Sequence, residues 1–188
     1  MDRFHTVHIK SYSIQNHNVA VQAFWVCLFS LLTAVGAQIE IPHQPVPYTL
    51  QTFFVLLSGA LLGKEKGGMS QLLYLFVGTL GVPVFSGFGF GATRLIGPTG
   101  GYLLSFPIAA YAVGYLIKQN KSLVWSLVSM FVGLFIVFSL GTIQLNVLYI
   151  HHWSEAIVNG FLIFSWWDGI KLFAAATIYH EISRRRIS

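Results

Sequence analysis

The sequence predicts an all-α integral membrane protein of six transmembrane helices, both termini cytoplasmic, forming one domain over residues 1–188. Three observations predict it. The 188 residues are 55% hydrophobic and only 9% charged, against about 25% charged in an ordinary soluble domain, so too little polar surface exists to coat a water-soluble body. The apolar residues arrive in runs long enough to cross a bilayer, roughly 17 to 25 residues each. The Lys and Arg residues alternate from loop to loop, as they do in a multi-pass chain whose cytoplasmic loops are basic.

Six runs meet the length criterion, near 19–37, 48–63, 69–85, 102–117, 123–147 and 156–180. A membrane β-barrel would need alternating residues with turns about every ten positions, and no such pattern is present. Helices satisfy every backbone polar group within the segment, which lipid demands. The first run competes with a cleaved signal peptide, because Val35-Gly36-Ala37 offers small residues. The 18 residues before it are long for a charged leader, however, and the run itself is long for a signal core. Between runs, nine basic residues fall on one side (Arg3, Lys10, Lys64, Lys66, Lys118, Lys121 and Arg184 to Arg186) and Arg94 alone on the other. That bias puts both termini in the cytoplasm. The overall excess of 11 Lys and Arg over 6 Asp and Glu therefore reports topology and lipid contact, and no nucleic-acid groove is visible. Cys27 is the single cysteine, which excludes an intrachain disulfide or a thiolate zinc site.

Function is sought where a segment carries something expensive. The sixth run contains Asp168 and Lys171, three residues apart, on one helical face and near the bilayer midplane by sequence position. Each charge costs about 2.5 to 3.5 kcal/mol there on insertion scales, so partners or function must offset it; an ion pair that only fixes helix packing is the bland alternative. The loop from Pro83 to Gly101 is aromatic and glycine-rich although external, so it should fold back over the helix ends. Arg94 within it offers a planar fork to a carboxylate, or is simply a solvated loop arginine. Pro42, Pro45 and Pro47 stiffen the first external segment, a candidate lid. Gln51 and Thr52 follow at the outer end of the second run, positioned for a ligand or another helix. Gln144 and Asn146 read as interhelical bonding residues.

Catalytic and metal chemistry lack their residues. There is no Gly-x-Ser-Gly nucleophile, since Val84-Phe85-Ser86-Gly87 lacks the first glycine, and no His-Glu-x-x-His. His151 and His152 would point about 100° apart on a helix. Glycines 87, 89 and 91 follow no strand and no Walker lysine follows Gly97, so neither nucleotide motif is present. No catalytic residue, metal or cofactor is expected, and energy, if needed, must come from partners.

The strings Pro45-Val46-Pro47-Tyr48-Thr49-Leu50-Gln51-Thr52, Gly59-Ala60-Leu61-Leu62-Gly63, Gly81-Val82-Pro83-Val84-Phe85 and Gly97-Pro98-Thr99-Gly100-Gly101-Tyr102, with the Asp168 and Lys171 pair, resemble the BioY family from about Thr33 to Lys171. The resemblance implies the biotin-binding S component of an energy-coupling factor (ECF) transporter in a prokaryotic plasma (inner) membrane. Its implied partners are biotin, membrane lipid, a transmembrane coupling protein and two ABC-type ATPases. It further implies a biotin pocket with Asp168 and Lys171 at the ureido group and Arg94 at the carboxylate. Gln51 is a polar candidate there, and Tyr48, Phe85, Phe88, Phe90 and Trp167 are candidates for the apolar wall or for core packing. S components are expected to dock through an Ala-x-x-x-Ala seam on the first helix; the nearest match is Ala23 with Cys27. An S component for another vitamin and a non-transporting structural membrane protein are the alternatives.

Overall fold

The Asn18 side chain accepts the Ala20 N–H at 3.0 Å, satisfying one of the free donors at the start of a helix, and α1 (Val19–Gln38) follows. The structure is a computed structural model in which residues 18–120, 122–162 and 166–185 are described. Arg3, Lys10, Lys121 and Arg186 lie outside these.

After α1 the chain makes a short ribbon, β1 (Glu40–Ile41) paired antiparallel with β2 (Tyr48–Thr49) in the register Glu40 to Thr49 and Ile41 to Tyr48. The prolines between them lack an N–H, so the pairing cannot extend. Helix α2 (Gln51–Leu62) ends at Gly63, whose φ of 81° admits glycine without strain, and α3 (Lys64–Thr79) starts at once. A long loop then carries a tight turn from Phe85 to Gly89 and the single turn α4 (Thr93–Ile96). Helix α5 (Gly100–Leu116) runs through the centre of the bundle, against α2, α3 and α6 (Leu123–Leu145). Two wider, π-type turns, at residues 146–150 and 157–161, flank the short α7 (Trp153–Ala156). Helix α8 (Trp166–Arg185) packs on α2 and α6.

The six apolar runs thus fall on α1, α2, α3, α5, α6 and the α7–α8 region, with shifted bounds. Residues 48–49 are strand rather than helix, and the third run leaves its helix at Thr79, ahead of Gly81 and Pro83. Among the described residues two helices are long and apolar enough to cross a membrane, α1 and the stretch Leu123–Ile150; the α7–α8 region is a third if its two parts, bent by 48°, are one span. The last run is therefore not a single straight helix, and Asp168 and Lys171 stand in the opening turns of α8. α2, at 12 residues, is only about 18 Å long at 1.5 Å per residue.

Two features suit lipid. Large apolar side chains including Phe24, Leu31, Leu72, Phe76, Phe131, Phe135 and Ile143 face outward. Lipid tails are as apolar as these side chains, so helices gain little by hiding them and associate instead by close packing. That packing is tightest where α2, α3 and α5 meet. A Cβ on Gly59 would stand 2.3 Å from the Ala110 carbonyl oxygen, and one on Gly114 2.3 Å from the Lys64 nitrogen. Beside this contact a polar cluster is buried whole: Gln71 Nε2 donates to Thr33 Oγ1 (3.3 Å), Ser58 Oγ (3.1 Å) and Ser70 Oγ (3.1 Å), joining α1, α2 and α3.

Candidate functional site

At the other end of the bundle the loops after α1 and α3 close over a cavity of about 580 Å³. Its walls come from the first loop (Glu40 and Pro42 to Thr49), the start of α2 (Gln51, Thr52), the third loop (Phe85 to Gly87, Arg94, Gly97 to Thr99), α5 (Tyr102, Leu103, Phe106), α6 (Val137, Phe138) and α8 (Asp168, Lys171). All three stiffening prolines and the glycine-rich loop therefore line it, as expected of segments folding back over the helix ends.

Asp168 and Lys171 are both buried. Lys171 Nζ lies 2.5 Å from Asp168 Oδ1 and donates also to the Thr49 carbonyl at 2.9 Å and Thr52 Oγ1 at 2.7 Å. An ammonium has three protons, and all three are matched inside the protein. The lysine thereby ties α8 to β2 and α2. The second Asp168 oxygen has no hydrogen bond from the described residues. A buried pair costs least when its remaining valences are met; the two threonines meet those of the lysine, and the second Asp168 oxygen stays open.

Gln51 is held in a chain that runs up to the third loop. Thr49 Oγ1 donates to Gln51 Oε1 (2.8 Å), Gln51 Nε2 donates to Tyr74 Oη (2.6 Å), and Tyr74 Oη donates to the Val84 carbonyl (3.2 Å). The Tyr74 ring meets that of Phe85 edge-on, centroids 5.5 Å apart, and Phe85 is buried against Gly78 as well as lining the cavity. Glu40 accepts a short hydrogen bond from Ser86 Oγ, joining the two capping loops. Gln38, the last residue of α1, donates to the Phe85 carbonyl (3.1 Å) and accepts from the Phe88 N–H (3.0 Å).

The cavity thus brings together Arg94, Asp168, Lys171, Gln51, Tyr48 and Phe85. Arg94 is exposed at its edge. Trp167 is half-buried beside Trp166 and does not line it; Phe88 and Phe90 are exposed and do not line it either. Ala23 and Cys27 are exposed on one face of α1. Gln144, on α6, bonds the carbonyls of Leu95 in the short α4 (2.9 Å) and of Gly97 just beyond it (3.3 Å). Gln38, Glu40, Ser86 and Tyr74 carry no motif by themselves. The only hint in the sequence was that two polar residues, Gln38 and Glu40, follow directly on an apolar run.

Apolar flanks, closely packed helices and a capped cavity holding a buried ion pair define a helical membrane protein built to enclose a small solute. The BioY family model matches residues 9–187, and the chain belongs to the BioY family. It is 46% identical over 160 residues to the biotin transporter BioY of Thermotoga maritima, covering 85% of this chain and 94% of that one. It is 33% identical over 147 residues to the biotin transporter BioY2 of Lactococcus lactis subsp. cremoris, covering 78% and 81%. These relatives are transporters, not enzymes. The fold matches, with a TM-score of 0.81 over 88% of this chain and 92% of the other, the crystal structure of an S-component for biotin from an ECF-type ABC transporter, at 22% identity.

Proposed function

We propose that this protein captures biotin from outside the cell, as the S component of an ECF transporter. The observation that carries the reading is the order of chemistry along one cavity: a buried acid–base pair at its floor, apolar walls from Phe85, Tyr102 and Phe138, and a guanidinium at its edge. Biotin presents the same order: a ureido group with two N–H donors and one carbonyl, an apolar sulfur ring and chain, and a carboxylate. The unpaired Asp168 oxygen accepts a ureido N–H, Lys171 exchanges one threonine contact for the ureido oxygen, and Arg94 receives the carboxylate as a bidentate pair.

Topology follows from charge. Lys64, Lys66, Lys118, Arg184 and Arg185 gather at the end away from the cavity, so that end is cytoplasmic. The chain then crosses a prokaryotic plasma membrane six times with both termini inside. It has no Walker motif, so energy comes from two partner ATPases through a transmembrane coupling protein, which docks on the small-residue face of α1 at Ala23 and Cys27.

The test is thermal stabilisation of the purified chain against a panel of vitamins. Biotin alone should raise the melting temperature, by an amount equivalent to about 2.7 kcal/mol at a hundred times its Kd. Stabilisation by a different vitamin would reassign the substrate. A second reading, a structural protein in which Asp168 and Lys171 only pair, draws on Lys171 having all three protons matched internally. It expects no saturable ligand, and tolerance of Asp168→Leu combined with Lys171→Leu.

A further inference from the structure

Of the alternating glycines in the third loop, Gly87 (φ 62°) and Gly91 (φ 88°) adopt the left-handed conformation that favours glycine. Gly89 does not. Its φ of −65° and ψ of 152° are open to any residue. What Gly89 supplies is room: a Cβ there would lie 2.6 Å from Arg94 Nε, 2.7 Å from Cζ and 2.9 Å from Nη2. The guanidinium lies across the bare Cα.

The Arg94 side chain has no hydrogen bond or ion pair with the described residues. Its fork is therefore positioned by packing, with its N–H donors open to a ligand. The surface it rests on is fixed from both sides. Gly89 N donates to the carbonyls of Phe85 (3.1 Å) and Ser86 (3.2 Å), and its own carbonyl accepts from Phe85 N (3.0 Å). Gln38 brackets the same turn from α1, donating to the Phe85 carbonyl and accepting from Phe88 N.

We propose that Gly89 is the seat that aims the Arg94 guanidinium at the ligand, with Gln38 holding the seat in place, and that these two positioning residues set the preference for an ionised carboxylate over a neutral amide. The proposal rests on the biotin reading above. A pre-aimed fork meets both oxygens of a carboxylate without first being ordered, and that advantage goes when the fork is displaced. A primary amide offers one acceptor and no charge, so it gains little from the same geometry.

The experiment is titration calorimetry of the purified full chain with biotin and with biotinamide, for the wild type, Arg94→Ala, Gly89→Ala and Gln38→Met. Gly89→Ala should weaken biotin about tenfold, as expected for one charge-assisted hydrogen bond lost, and leave biotinamide within about twofold. Its discrimination then approaches that of Arg94→Ala, and adding Gly89→Ala to Arg94→Ala should change nothing further. Gln38→Met should move the ratio the same way by about threefold. Unchanged biotinamide affinity certifies the fold of each variant; should Gly89→Ala not fold, Gln38→Met decides by the same ratio. Full discrimination in Gly89→Ala, or in Gln38→Met where that variant decides, overturns the proposal while the biotin reading stands, and so does full discrimination in Arg94→Ala itself. A wild type that binds neither compound overturns the biotin reading and the proposal together.

Discussion

Where α2, α3 and α5 meet, near the turn at Gly63, backbones touch through Gly59, Gly67 and Gly114. At the cavity end the loops stand apart and are stitched by side chains: Gln38 and Tyr74 to the third loop, Glu40 to Ser86, Lys171 to Thr49. The first arrangement has no slack, since any added atom meets a carbonyl or an amide nitrogen. The second is a set of exchangeable hydrogen bonds, each worth about 0.5 to 1.5 kcal/mol net, or about 1.5 to 3 where a charged group takes part. A site that must admit and release a solute belongs on the second kind of structure, and a scaffold belongs on the first.

Substitutions can break this contrast. The largest effect is expected from Gly59→Val, whose Cβ would lie 2.3 Å from the Ala110 carbonyl oxygen. Overpacking costs about 1 to 3 kcal/mol where side chains can yield, and here backbone faces backbone. No monodisperse protein should survive size exclusion in detergent; a well-folded Gly59→Val would abolish the distinction between the two ends. Next, Asp168→Asn removes the counter-charge of Lys171 and, on the proposed biotin reading, the charged acceptor for the ureido group. Biotin affinity should fall about a hundredfold, roughly 3 kcal/mol, in a chain that still folds because Thr49 and Thr52 hold the lysine. Titration with unchanged affinity would remove Asp168 from the site.

A smaller change, Thr52→Val, deletes only the 2.7 Å bond to Lys171. A loss of tenfold or less is expected, about 1 kcal/mol, and loss of the fold instead would mean that the lysine strut belongs to the scaffold. Smallest is Tyr102→Phe, which cuts the 2.9 Å bond to the Gly160 carbonyl. The melting temperature should drop by about 2 to 4 °C with biotin affinity nearly unchanged; a larger loss of affinity would place that contact in the cavity's own support.

What could be read in the sequence was whatever violated its surroundings. Asp168 and Lys171 stand out because charge is scarce in apolar runs, and Arg94 because it is alone among the basic residues on its side. The capping loops announce themselves by proline and by apolar residues where polar ones belong. The contacts that hold those loops were not legible. Gln38, Tyr74 and Ser86 are ordinary residues whose partners lie 10 to 50 positions away, and no local pattern encodes that separation. The same holds for Gly89, which shares its spacing with Gly87 and Gly91 but not their conformation. Helix ends shifted where backbone chemistry overrode hydropathy: an apolar run through Gly81 and Pro83 reads as membrane span, yet α3 stops at Thr79. In the last run hydropathy continues across the π-type turn at residues 157–161 and the bend that follows it, because burial does not require a straight helix.

The matched protons of Lys171 also bear on what the cavity turns away. A chloride ion attracted by the ammonium meets the Asp168 carboxylate 2.5 Å from it, and a sodium ion attracted by the carboxylate meets the ammonium. Neither recovers the hydration it would have to shed. A neutral solute that presents a donor and an acceptor side by side can satisfy both partners at once. The paired charges at the cavity floor thus favour a neutral solute carrying both a donor and an acceptor over an ion of either sign.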